Sequence, residues 1–252
     1  MSAAAKRRRK RKAGFSLIEA LIAVLIFSIV MGSVAQYMVL AQQRAYTEQV
    51  RLDQLQEGRD FVDQLVRDIQ ECGYPNLRMV NPASPLFSPA LQNPAINDAR
   101  LAVGIVKIGR TEIWLEGDVV GDGNVYSVVY KLNGTGTCEA CLQRSQTMKV
   151  NGSPVTAQSQ TWATEINDVQ NAQVFQAFQI DGSPVDLTST IDIGDAWQAR
   201  TIASIRVVQA NLTLRNNSIV DLKTGQVIEV VMQSQAVIQN CSMAATGESM
   251  SC

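Results

Sequence analysis

The sequence predicts an α+β protein, a long N-terminal α-helix packed as a spine on a mainly antiparallel β-sheet head. Three observations predict it. Between Phe15 and Tyr74 there is no proline, and only Gly32, Gly58 and Gly73 interrupt good helix formers. Five of the seven prolines then fall within residues 74–99. From about Leu101 onward, short runs alternate apolar and polar residues and are bounded by turn dipeptides.

The first element is a basic segment followed by an apolar run. Lys6 to Lys12 are consecutive cations, Ala13-Gly14 follow, and the stretch from Phe15 to Ala41 is mostly apolar with Glu19 as its one charge. As a helix at about 1.5 Å per residue this run extends roughly 40 Å, more than the ~30 Å of a bilayer core. Alone, the basic cluster reads as a nuclear-type or nucleic-acid-binding patch, but an apolar span follows it directly. A cleaved secretory signal ending at Val39-Leu40-Ala41 is a second reading, although the run is about twice the length of such a signal's apolar core. A plain single-pass anchor, positive side inside, is a third. None accounts for Glu19, because a carboxylate costs up to about 2.5–3.5 kcal/mol at the bilayer centre.

After Ala41 the pattern turns amphipathic. Leu55, Gly58, Val62, Leu65, Ile69 and Cys72 fall on one helical face, broadened by positions 52, 61 and 66. Charges fill the other face, where Asp63 and Arg67 stand in the favourable i,i+4 order. The expectation is one helical region over residues 15–73, membrane-embedded to about residue 41 and then laid on a head. A coiled-coil dimer is the alternative for the second half, but its seam would be short. Gly73 and Pro75 supply a stop. Residues 74–99, with Pro75, Pro82, Pro85, Pro89 and Pro94 among Asn and Ser, read as a long irregular connection.

Residues 100–252 form the β-rich head. Tyr126, Val128, Tyr130 and Leu132 alternate with polar or smaller residues, as do Val208, Ala210, Leu212 and Leu214. Ile228, Val230, Met232, Ala236 and Ile238 share one face of a long final strand. Shorter strands are expected at 103–108, 111–116, 142–149 and 173–180, and a short helix around Asp195–Arg200. Asp122-Gly123, Asn133-Gly134, Asn151-Gly152, Asp181-Gly182 and Thr224-Gly225 mark the turns. Strands joined by such turns make an antiparallel sheet, one face of which the amphipathic helix covers.

Composition narrows the chemistry. The net charge of −1 hides an asymmetry, since the basic cluster carries no acids and the remainder is distinctly acidic. That balance argues against binding a phosphate backbone. There is no histidine, which excludes Ser-His-Asp and Cys-His catalysis and the common His-containing zinc sites. Trp114, Trp162 and Trp197 are scattered without periodic basic partners, a core or sheet-surface pattern. Asp118, Asp122 and Asn124, with Glu116 adjacent, offer oxygen ligands at loop spacing and a weak calcium candidate. A calcium loop of the EF type needs a distal glutamate that is lacking, and a plain turn is the better reading.

The stretch Gly14-Phe15-Ser16-Leu17-Ile18-Glu19 resembles the processing site of type IV prepilins and type II secretion pseudopilins. In that family a basic leader ends in glycine and the apolar helix after the cut is retained. The resemblance implies that residues 1–14 are a cleaved leader and that Phe15 is the new, N-methylated terminus. It implies also that Glu19 pairs with an N-terminal amine. Physics favours such a pair, because an amine at a helix N-terminus faces the positive end of the dipole and, once buried, needs a carboxylate. Leu55-Gln56-Glu57, Arg67-Asp68 and Cys72-Gly73-Tyr74 look like the helix end of the PilW-type minor pilins. Gly117-Asp118, Gly121-Asp122-Gly123, Tyr130 and Leu142 to Arg144 look like their head. Similar helix ends occur in the J-type minor pseudopilin of type II secretion.

What the resemblance implies is a minor pilin-like structural protein of a type IV pilus, not an enzyme, with no cofactor. Its partners would be a prepilin peptidase, the major pilin, other minor pilins and the inner membrane, with no nucleic acid. It would cross the bacterial inner membrane once, N-terminus cytoplasmic and head periplasmic, before reaching the pilus or cell surface. A minor pseudopilin and a membrane-anchored binding module or adhesin are the alternatives. A head in an oxidising compartment favours disulfides. Cys138-Glu-Ala-Cys141 is a C-x-x-C, open to redox, zinc or disulfide readings. The expectation is Cys138–Cys141 and Cys241–Cys252, with Cys72 free and buried; a zinc site built from the same four cysteines is the alternative.

Overall fold

The computed structural model describes residues 16–75, 98–132, 140–150, 160–221 and 225–240. The chain divides into two units, Met1–Glu48 and Gln49–Cys252. Helix α1, Leu17–Glu71, contributes to both. It runs without interruption because its sequence lacks proline and satisfies every interior amide within the helix.

In the first unit the helix starts at Ser16, whose carbonyl accepts from the amides of Glu19 and Ala20 at 3.0 and 3.1 Å. Its aliphatic side chains are exposed on all sides, from Leu17 to Leu40. The hydroxyls of Ser28 and Ser33 donate to the carbonyls of Val24 and Ile29, four residues back. They are thereby satisfied inside the helix, as an apolar surrounding requires.

The second unit holds the rest of α1 and the strands. These are β1 Ile105–Ile108, β2 Glu112–Gly117, β3 Tyr126–Leu132, β4 Leu142–Met148 and β5 Trp162–Ile166. They continue with β6 Phe175–Gln179, β7 Ile191–Asp192, helix α2 Ala196–Ser204, β8 Ile205–Val220 and β9 Val227–Val237. Among the described residues they form a six-stranded sheet in the order β5-β4-β3-β2-β1-β7 and a three-stranded sheet β6-β8-β9. Every strand pairing is antiparallel. The fold is α+β, as the sequence predicts. The short helix near Asp195 is present and extends to Ser204, with Asp195 as its N-cap, accepting from the amides of Trp197 and Gln198.

Phe61, Leu65, Ile69 and Cys72 of α1 are buried in one core with Leu115, Val128, Tyr130, Leu142, Leu212 and Leu214. Each such side chain contributes about 1.5–3 kcal/mol on burial. This packing on the chain's own sheets uses the face that a coiled coil would have needed. The stripe is rotated from the expected one. Leu55 and Val62 are only partly buried and Leu52 is exposed, whereas Gln54 and Asp68 lie inside beside the expected Phe61. Asp68 therefore departs from the expected all-charged outer face, because Tyr130 and Arg144 meet it there. Arg67 also departs, donating to Gln64 Oε1 at 2.9 Å instead of pairing with Asp63.

One glycine sets how closely α1 approaches: a Cβ on Gly117 of β2 would run into the backbone carbonyl of Glu71, whereas one on Gly58 would meet the flexible end of Met232. The first strand starts at Ile105, not residue 103, since Gly104 takes a left-handed φ of 95°. The β4 strand ends before Lys149, whose side chain turns into the core.

Candidate functional site

The end of α1 is fixed to the larger sheet by a buried polar cluster. Asp68 Oδ2 accepts from Tyr130 Oη at 2.5 Å and from Arg144 Nε at 2.9 Å, and Oδ1 accepts from Gln64 Nε2 at 2.8 Å. Arg144 Nε also reaches Tyr130 Oη at 3.1 Å, and its guanidinium lies 5.7 Å from the Tyr130 ring centre. Phe61 meets that ring edge-on with centroids 5.5 Å apart. Burial, followed by the charge of Asp68, pushes the Tyr130 phenol well above its ordinary range.

One turn on, Cys72 bridges to Gly117, the Gly73 amide donates to the Glu116 carbonyl at 2.8 Å, and the Asp118 amide donates to the Tyr74 carbonyl at 2.9 Å. Glu116 Oε2 accepts from Lys149 Nζ at 2.8 Å and from the Val103 amide at 3.2 Å. Lys149 Nζ donates also to the Leu101 carbonyl at 2.9 Å. Both charged side chains are fully buried. Burial pushes the Glu116 carboxyl above its ordinary value, against the pull of Lys149. Burial and then the charge of Glu116 push the Cys72 thiol far above the ordinary thiol range.

At the other end of α1, Glu19 lies in the first helical turn, exposed beside Leu17, Ile18, Leu21 and Ile22. Its side chain meets no hydrogen-bond or ion-pair partner among the described residues. Gly14 and Phe15 lie outside the described residues. The helix is long and apolar enough to cross a membrane, and its apolar stretch is entirely exposed.

A family model described as the prokaryotic N-terminal methylation motif matches residues 9–35. The N-terminus is type IV prepilin-like. The matched segment contains Gly14, Phe15 and Glu19, and it runs into the exposed apolar part of α1. This prepilin-like start and the apolar helix fit a membrane-anchored protein processed by a prepilin peptidase. No curated protein and no solved structure matches the chain.

The remaining candidate residues are placed as follows. Cys72 is free and buried, as expected. Cys141 is buried and disulfide-bonded; Cys138, Cys241 and Cys252 lie outside the described residues. Asp118 directs its carboxylate at its own loop, accepting from the amides of Gly121, Asp122 and Gly123. Asp122 accepts from Asn124 and from Tyr126 Oη. These oxygens organise a turn between β2 and β3, and Glu116 points away from it, into the core. Trp114 donates to Ser127 Oγ on the sheet. Trp197 departs from the expected core or sheet pattern. It is 77% exposed on α2, with the Arg200 guanidinium 5.3 Å from its ring centre, because the helix places the two residues three apart on one face.

The sequence missed the Asp68–Tyr130–Arg144 cluster and the Glu116–Lys149 pair. The one signal for the first was the recurrence of these residues in the minor pilin pattern. For the second there was none, as Lys149 looks like an ordinary residue at the end of a strand.

Proposed function

We propose that the chain is a minor pilin, incorporated into a type IV pilus or priming its assembly, and that it acts by assembly and not by catalysis. Prepilin peptidase removes residues 1–14 and methylates the amine of Phe15. The apolar half of α1 is held in the inner membrane with the head in the periplasm, and then packs among equivalent helices of the major pilin and other minor pilins. Glu19 neutralises the N-terminal amine of a neighbour in that bundle. Cys141 pairs with Cys138, and Cys241 with Cys252, bracing the head.

The observation that carries this reading is the methylation motif over residues 9–35, which overlaps an exposed apolar stretch of α1, residues 17–41, whose sole charge is Glu19. The minor pilin assignment is supported by a second relation. Part of the set that resembles the PilW-type pattern meets in space: Asp68 bonds to Tyr130 and Arg144, Cys72 bridges to Gly117, and the Asp118 amide donates to the Tyr74 carbonyl. These members of the pattern attach the helix end to the head.

Co-expression with a prepilin peptidase followed by N-terminal sequencing tests the reading. The expected product begins at N-methylated Phe15. An intact Met1, or a start at Gln42, overturns it.

A further inference from the structure

We propose that the hydrocarbon layer of the membrane ends on α1 at Gln36 and Tyr37, so that residues 36–41 form a collar that meets lipid headgroups and not acyl chains. This placement rests on the membrane anchoring proposed above. It moves the boundary expected near residue 41 back by about a turn and a half of helix.

Polar side chains mark the boundary. Between Glu19 and Gln36, the side chains that carry a hydroxyl, amide or charge are Ser28 and Ser33. Both hydroxyls donate to carbonyls four residues back and need nothing from outside the helix. Gln36 differs. Its amide is exposed and has no hydrogen-bond partner among the described residues. An unbonded amide is costly in hydrocarbon and is satisfied among headgroups. Tyr37 beside it is 75% exposed, and a ring with a polar hydroxyl favours the same boundary.

The lengths agree at both sides of that boundary. Glu19 and Gln36 lie about 26 Å apart along the helix at the standard rise, close to the ~30 Å of a bilayer core, and the two side chains reach across the difference. The headgroup layer adds about 5–7 Å on each side, which four or five residues of helix cross. Met38, Val39, Leu40 and Ala41 fill it, all exposed, and Gln42, Gln43 and Arg44 follow in water. Embedding the apolar run as far as Leu40 needs a helix tilt of about 35° and draws the Gln36 amide about 5 Å into hydrocarbon. The upright placement needs neither.

Depth-dependent fluorescence quenching tests the proposal on the full chain in phosphatidylcholine vesicles, with acyl chains brominated either near the bilayer centre or near the headgroups. Tryptophan is introduced singly as Phe27→Trp, Tyr37→Trp or Leu40→Trp, and the signal of the parent, from Trp114, Trp162 and Trp197 of the head, is subtracted. Phe27→Trp should be quenched most by the deep bromines and Tyr37→Trp most by the shallow ones. Leu40→Trp should be quenched by the shallow bromines at less than about half the level of Tyr37→Trp. Equal shallow quenching of Tyr37→Trp and Leu40→Trp overturns the proposal. Gln36→Leu removes the amide, so in that background shallow quenching of Leu40→Trp should rise about twofold or more. An unchanged value means that the amide does not set the boundary and overturns the proposal too. Phe27→Trp that neither lipid quenches overturns membrane anchoring along with it. Leader removal and filament assembly do not enter the measurement, so a chain that keeps Met1 and shows the expected depths defeats the pilin reading alone.

Discussion

Tyr130 Oη donates to Asp68 Oδ2 at 2.5 Å, tying β3 to the buried face of α1. The carboxylate accepts also from Arg144 and Gln64, so its charge is paired and both oxygens are bonded. A carboxylate with 1% side-chain exposure is tolerated only under such conditions. The cluster therefore ties the end of α1 to β3 and β4.

Substituting Asp68 by Ala should destabilise the head by about 2–3 kcal/mol, since the part-buried Arg144 and the buried Tyr130 hydroxyl lose their shared acceptor. Tyr130→Phe keeps the ring against Phe61 and loses one charge-assisted hydrogen bond, costing about 1.5–3 kcal/mol. Urea unfolding followed by tryptophan fluorescence measures both. The double variant should cost less than the two losses added together, because the residues share a partner.

The close passage at Gly117 gives a second expectation. An added methyl meets the Glu71 carbonyl, so Gly117→Ala should destabilise by about 1–3 kcal/mol and loosen the helix end. Cys72 reports on that opening. In the parent its thiol is buried and its ionisation suppressed, so a thiol reagent such as Ellman's at pH 8 should label it only in denaturant. In Gly117→Ala, labelling under native conditions should become measurable.

Which parts were legible in the sequence follows from what makes each. The proline-free run to Tyr74 and the alternation in 126–132, 208–214 and 228–238 are local patterns, and they gave α1, β3, β8 and β9 closely. The prepilin-like start was legible because it is a contiguous motif. Asp68 was misplaced because helical periodicity counts an acid as solvent-facing, and nothing within one turn of it shows that Tyr130 and Arg144 will arrive from residues 62 and 76 positions away. Glu116 was counted with the acidic turn for the same reason. Its inward rotation depends on Lys149, which pairing of β2, β3 and β4 carries alongside it.

The Glu116–Lys149 pair makes a third expectation, in which sign matters. Lys149→Met removes one partner and leaves a buried carboxylate, so it should cost about 3–5 kcal/mol. Replacing both, with Glu116→Gln and Lys149→Met together, removes the uncompensated charge and should recover most of that loss. Thermal or urea unfolding of the two single variants and the double variant checks it. A double variant no more stable than Lys149→Met would mean that the pair holds residues 101–103 in place by its hydrogen bonds and not by charge balance.

Glu19 supplies the last expectation, and it separates membrane residence from assembly. The apolar run of α1 remains long enough to span a bilayer without this carboxylate, so Glu19→Ala should fractionate with the membrane as the parent does. With the proposed cut before Phe15, leader removal should continue. In the proposed bundle the variant lacks the partner for a neighbour's N-terminal amine, a cation that is costly to bury unpaired among apolar helices. Its incorporation into filaments should therefore fall, read as the ratio of variant in sheared filaments to variant in membranes. Glu19→Gln retains size and hydrogen bonding but not charge, and under a charge-pair role it should fail alongside Glu19→Ala. If Gln were incorporated like the parent while Ala failed, hydrogen bonding and not charge would be the function of this position.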